Sequence, residues 1–126
     1  IEKVNFYAGV HIDSTIVPLR QGLAICNKPR VKSKRYLPPC MKDWEIIWVE
    51  DVTAQVFYQY PYASKWIGLN MLSINDHTVI VDTAQLELST VLEKKGFTVI
   101  PHTLRHSRTL GGGHHCVTLD TWREND

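Results

Sequence analysis

The chain has 126 residues, 44% of them apolar, and a formal net charge of +1. That length suits a single domain, residues 1–126, since a chain of this size buries about two-thirds of its unfolded surface. The near-neutral balance gives no basic field for nucleic acid, and no apolar run approaches the roughly 20 residues that a bilayer span needs.

Taken in order, residues 3–10 mix β-branched and aromatic side chains and predict a strand. Residues 16–19 predict a second strand, Gln21-Gly22 a turn, and residues 23–26 a third strand. Between the first two lie His11 and Asp13, which share one face if the backbone is extended. They are either a coupled pair, in which the carboxylate orients the ring and favours its charged form, or a surface pair at a strand end. Residues 27–42 are basic and broken by Pro29, Pro38 and Pro39. This reads as a loop with one short helical turn, able to hold an anion but equally a solvated face.

Residues 44–49 predict a buried strand, and residues 51–62 a long aromatic loop with Phe57, Tyr58, Tyr60 and Tyr62. Residues 67–74 predict a strand that turns at Asn75-Asp76 and returns antiparallel through residues 78–81. Asp82 and Gln85 fit a capping pair for a helix with an apolar stripe of Leu88, Val91 and Leu92, ended by Gly96. Residues 97–100 predict a further strand, residues 102–110 a polar connection, and residues 117–119 the last strand. The second half thus reads strand, strand, helix, strand. The first half repeats that order with its basic, Pro-broken segment in place of the helix. The pattern is a weak ββαβ repeat in an α/β (α+β) chain.

The stretch Leu110-Gly111-Gly112-Gly113-His114-His115-Cys116 stands apart. Three glycines in a row are tolerated where the backbone turns through φ > 0 or approaches another group closely. A thiol held after such a turn, beside imidazoles, is one way to build a nucleophile, and a buried, inert cysteine is the other reading. A third possibility is zinc on His102, His106, His115 and Cys116, which needs a helix over 102–106 that Pro101 disfavours. Cys26, Cys40 and Cys116 are odd in number and widely spaced, which argues against a disulfide framework and for a reducing, cytoplasmic setting.

Three motifs, His11-Ile12-Asp13-Ser14-Thr15, Ser64-Lys65-Trp66 with Asn70, and the glycine stretch ending in Cys116, occur together in register. In order and separation they resemble the C-terminal part of the amidinotransferase family, enzymes that move an amidino group from arginine to an amine. Val17-Pro18-Leu19-Arg20 with Gly22-Leu23 is more similar to the bacterial branch that makes guanidino natural products than to the glycine-using branch. The resemblance implies a partial α/β propeller built from ββαβ modules, about two to three blades of the family's five around a substrate channel. It implies a transferase with Cys116 as nucleophile and His11 as general acid/base. It further implies that Asp13 binds the guanidinium, that Arg30 holds the substrate carboxylate, and that Ser64, Gly112 and Gly113 line the pocket. Ala63 stands where the glycine-using enzymes carry another serine.

No cofactor or metal is implied. The expected partners are arginine or another guanidino compound and an amine acceptor, with neither nucleic acid nor membrane. Because family members are much longer, the resemblance also implies a homo-oligomer or a missing N-terminal half. The competing expectation is a catalytically inactive truncated propeller that binds a ligand or itself, and the reactivity of Cys116 separates the two.

Overall fold

The computed structural model describes Tyr7, Gly9, residues 11–53 and residues 62–122. The strand expected over residues 3–10 and most of the aromatic loop expected over 51–62 lie outside those described residues.

Two three-stranded sheets share one plan. β1 (Ile16–Arg20) and β2 (Leu23–Asn27) run antiparallel about Gln21-Gly22, and β2 pairs in parallel with β3 (Glu45–Val49). In the second sheet, β4 (Leu72–Asn75) and β5 (Thr78–Asp82) are antiparallel and β5 pairs in parallel with β6 (Thr98–His102). Both sheets have the order first-second-third, so the ββαβ unit does occur twice. A parallel pair needs a crossover. In the second unit this is α2 (Leu86–Lys94), and in the first it is the single turn α1 (Lys28–Val31) followed by 3₁₀ turns at Lys34–Tyr36 and Pro39–Met41.

The prolines explain that reduced crossover, with Pro29 in the first turn and Pro38 and Pro39 beyond it. Lys32 ends α1 at φ 67° and ψ −49°, with Ser33 N donating to Val31 O at 2.8 Å, a strained γ-turn on a residue with a side chain.

One core joins the two units. Leu19, Leu23 and Ile25 of the first sheet pack with Val79 and Val81 of the second and with Leu69, Met71, Leu92 and Phe97 of the segments around it. The opposite face of β2 carries Ala24 and Cys26, which pack with Val31, Leu37 and Met41 of the crossover. β2 is therefore buried on both faces, as a central strand between an antiparallel and a parallel neighbour must be.

Four expectations are corrected. β3 is half-buried rather than buried, because it is the edge of its sheet. The strand expected from residue 67 begins only at Leu72. Residues Lys65–Leu69 instead wind into a 3₁₀ turn, which puts Gly68 against Gln85, where a Cβ would lie 2.6 Å from the amide carbon. The helix begins at Leu86, with no Asp82–Gln85 capping pair. The Asp82 carboxylate accepts from Ala84 N at 3.0 Å, while the Gln85 side chain bonds Thr53 N and O at 3.0 and 2.9 Å. Residues 117–119 form no strand: Thr118 N donates to His115 O at 3.0 Å and closes a turn around Cys116.

The end of α2 is as expected. Gly96 at φ +85° lets its N–H reach Glu93 O (2.9 Å) and Phe97 N reach Leu92 O (3.1 Å), a Schellman closure sealed by Phe97 beside Leu92. Among the described residues no helix is long and apolar enough to cross a membrane.

Candidate active site

The His11 motif is a short 3₁₀ turn, Ile12–Ser14, entered at His11, and not an extended face. The turn still brings the two groups near each other, with His11 Nδ1 4.0 Å from Asp13 Oδ1. The last two residues of the motif explain its rigidity. Thr15 Oγ1 donates to His11 O at 2.6 Å, and Arg30 Nη1 donates to Thr15 Oγ1 (2.9 Å), Ser14 Oγ (3.0 Å) and His11 O (3.3 Å). Arg30 is delivered by β2, whose last residue Asn27 caps α1 by accepting from Arg30 N at 3.2 Å. A guanidinium is thus braced under the turn that carries the imidazole and the carboxylate.

The glycine stretch arrives from the other sheet. Gly111 has φ +89°, and a Cβ there would lie 2.5 Å from the Tyr62 carbonyl oxygen and 3.9 Å from His11 Nε2. At Gly113 a Cβ would sit 2.6 Å from both Cβ and Oδ1 of Asn70. No side chain fits at either place. At Gly112 the clearance to the Cys116 Cβ would be 3.3 Å.

Asn70, buried at the end of the 3₁₀ turn that Ser64 opens, receives this loop. Its carbonyl accepts from His114 N (2.8 Å) and His115 N (3.3 Å), its Oδ1 accepts from Cys116 N (3.0 Å), and its Nδ2 donates to Asp13 O (3.4 Å). One amide therefore ties the thiol loop to the carboxylate turn.

These supports bring His11, Asp13 and Cys116 together, with one ligand-type atom from each within 4.8 Å of the others. Cys116 Sγ donates to Asp13 Oδ2 at 3.1 Å, and His115 Nδ1 lies 3.0 Å from the same oxygen. Burial pushes the Asp13 carboxyl up, but hydrogen bonds from Cys116, His115 and Asn70 outweigh it and leave the group below its ordinary value. Burial also raises the Cys116 thiol, and the Asp13 carboxylate raises it further, against a backbone hydrogen bond from Gly113. The charged group that Cys116 Sγ touches is therefore an anion. Beside Asp13 and His115 opens a cleft of about 720 Å³ that runs between β1 and β4 and is walled by Leu19, Trp44 and Met71.

No family model matches the sequence. An inosamine-phosphate amidinotransferase of Streptomyces griseus is 45% identical over 120 residues, covering 94% of this chain and 34% of its own length. The solved structure of that enzyme superposes with a TM-score of 0.82 at 42% identity, over 95% of this chain and 34% of the other. The match falls on its C-terminal part.

The chain is homologous to the C-terminal third of the amidinotransferases.

An amidinotransferase of Microseira wollei from saxitoxin biosynthesis also superposes, with a TM-score of 0.79 at 30% identity, over 94% of this chain and 34% of that one. A mitochondrial glycine amidinotransferase of Xenopus laevis is 30% identical over 90% of this chain and 27% of its own length. The stronger identity to the inosamine-phosphate enzyme agrees with the reading of residues 17–23. The chain spans about a third of the length of the curated relatives it matches, and its two ββαβ units are blades of the amidinotransferase propeller.

Within this amidinotransferase segment the site residues read from sequence fall into two groups. His11, Asp13, Cys116, Gly112 and Gly113 form one constellation around Asn70. Arg30 braces that constellation from below with Nη1 on three oxygens, and Ser64 caps its own turn by accepting from Trp66 N at 3.3 Å. The four-residue zinc set is not brought together: His102 Nδ1 pairs with His114 Nε2 at 3.2 Å, away from the Asp13–His115 contact. Cys26 is a core thiol pushed up to about 12 by burial. The close approach of His115 to Asp13 and the hub at Asn70 went unread in the sequence. Asn70 carried a signal as the polar residue closing an otherwise apolar run.

Proposed function

We propose that this chain supplies the nucleophile, the acid/base imidazole and a guanidinium-binding carboxylate for amidino transfer from arginine to an amine. The observation that carries the proposal is the convergence of Cys116, His11 and Asp13 within 4.8 Å in a chain 45% identical to an amidinotransferase.

In this reading the substrate guanidinium docks on Asp13 through charge-assisted hydrogen bonds. Its positive charge offsets the field that keeps Cys116 protonated, and the thiol proton passes to His11. The thiolate attacks the guanidinium carbon and forms a C–S bond. Collapse breaks the C–N bond, and the departing ornithine amine takes its proton from His11. The incoming amine then attacks the amidino-cysteine, gives a proton to His11 and frees the sulfur. Arg30 takes the substrate carboxylate with the guanidinium nitrogens left after Nη1, and Ser64 contributes to the same pocket. A reducing, cytoplasmic compartment suits an exposed thiol that must stay reduced.

The remaining walls of a closed site come from further blades or from a second copy. Exposed Ile12 and Val117 flank the Asp13–Cys116 contact, and Leu119 and Trp122 follow it. A second reading, an inactive ligand-binding or self-assembling module, is favoured by the raised Cys116 thiol. The test is arginine labelled at the guanidino carbon, incubated with the intact protein and an amine acceptor. Label in the acceptor, lost in Cys116→Ala and in His11→Ala, is the result expected. Label that stays on arginine in folded protein, whatever amine is offered, selects the second reading.

A further inference from the structure

We propose that His11, Asp13 and Cys116 form a zinc-binding site that switches the nucleophile off. The metal site rests on geometry alone, while its inhibitory meaning rests on the amidino-transfer reading above. A thiol sulfur, an imidazole nitrogen and a carboxylate oxygen lie within 4.8 Å of one another, and among the described residues this is the group that could hold a metal. Zinc bonds of about 2.0–2.3 Å to such donors require tetrahedral ligand–ligand separations of roughly 3.3–3.7 Å. Sγ lies 3.1 Å from Asp13 Oδ2 and His11 Nδ1 lies 4.0 Å from Asp13 Oδ1, so a metal here requires side-chain rotations that bring the sulfur and the imidazole to one oxygen of the carboxylate and draw the 4.8 Å group inward.

Three protein ligands leave a fourth position, and Cys116 is exposed, so water or a small anion fills it. The soft sulfur selects zinc over magnesium and calcium, which take oxygen ligands. Binding releases the Cys116 proton to solvent and forms a Zn–S bond, with no change of oxidation state. The scaffold is already in place. Asn70 fixes the Cys116 backbone, Arg30 and Thr15 fix the His11 turn, and Asp13 Oδ2 already receives the thiol. A metal here occupies the sulfur lone pair and the carboxylate that a guanidinium would use, so zinc and substrate exclude each other.

The experiment measures the alkylation rate of Cys116 in the intact protein by peptide mass, with Zn²⁺, Mg²⁺ or Ca²⁺ added or with a chelator present. Zinc is expected to slow alkylation about tenfold or more while the other two leave it unchanged, with the chelator restoring the rate. His11→Ala and Asp13→Asn each weaken the zinc protection, and Cys40→Ser leaves it intact. An unchanged rate at saturating zinc overturns the inference, as does protection undiminished in both variants. Label transfer measured in chelator separates the two ideas. Transfer without zinc protection sinks only the metal site, and zinc protection without transfer sinks only the catalytic reading.

Discussion

Cys116 Sγ donates to the Asp13 carboxylate, and that contact bears on how the thiol behaves before any substrate arrives. Its raised thiol predicts slow alkylation at neutral pH while no substrate is bound, so the reactivity that separates enzyme from inactive module is that of Cys116 toward arginine, whose guanidinium offsets the carboxylate. Replacing the carboxylate by an amide removes the anion, so Asp13→Asn shifts the alkylation profile of Cys116 to lower pH while abolishing transfer. A profile unmoved or moved upward would show that Asp13 does not govern the sulfur. Asp13 itself titrates below its ordinary value, so the stability it contributes is present above the usual carboxylate range and fades as pH falls through its lowered value. Asn70→Ala leaves the Cys116 N–H without its acceptor and unties Asp13. The expected loss is about 1–3 kcal/mol of stability, with roughly a hundredfold in turnover from misplacement of the sulfur. Wild-type turnover in a folded Asn70→Ala protein would contradict this. The convergence of His11, Asp13 and Cys116 was expected from the resemblance of three motifs, while their residue types alone left a surface pair and an inert thiol open. Asn70 stood in one of those motifs, but its part in tying them was not readable, since it exists only where two distant loops meet on one residue.

At the level of elements, the backbone makes two opposite demands. Lys32 is held at φ 67°, where a side chain is strained, so Lys32→Gly is expected to stabilise the protein by about 1 kcal/mol, read as a raised Tm. Gly96 sits at φ +85° with open space around it, so Gly96→Ala is expected to cost about 1 kcal/mol through the backbone alone. A lowered Tm in the first or an unchanged one in the second would contradict these assignments. The Gly96 terminus and the hairpin at Gln21-Gly22 were readable because turn chemistry is local. The segment from residue 67 looked like a strand from its apolar content, yet the close approach of Gly68 to Gln85 winds it into a 3₁₀ turn. Residues 117–119 looked like a strand from alternation alone, yet a hydrogen bond from Thr118 to His115 folds them into a turn, and among the described residues no strand pairs with them. In the first case a tertiary contact, and in the second a local turn, overrode a short apolar pattern.

For the whole molecule, the repeat of ββαβ was legible at the level of element order, and the shared core of Leu19, Ile25, Met71 and Val81 shows why the two units hold together. Leu110, Leu119 and Trp122 are more than 70% accessible, and the further blades or second copy proposed above would cover them. Residues 1–126 alone are therefore expected to sediment as more than a monomer, and Leu119→Ser with Trp122→Ser to reduce that association. A monodisperse monomer would argue against it. The central claim is that Cys116 carries the amidino group. Its most direct test is the intact mass of the protein after incubation with arginine and no acceptor. The account predicts a mass increase of one amidino group, mapped to Cys116, absent in Cys116→Ala and discharged by an added amine. A folded protein that stays unmodified, or an adduct on another residue, would contradict it.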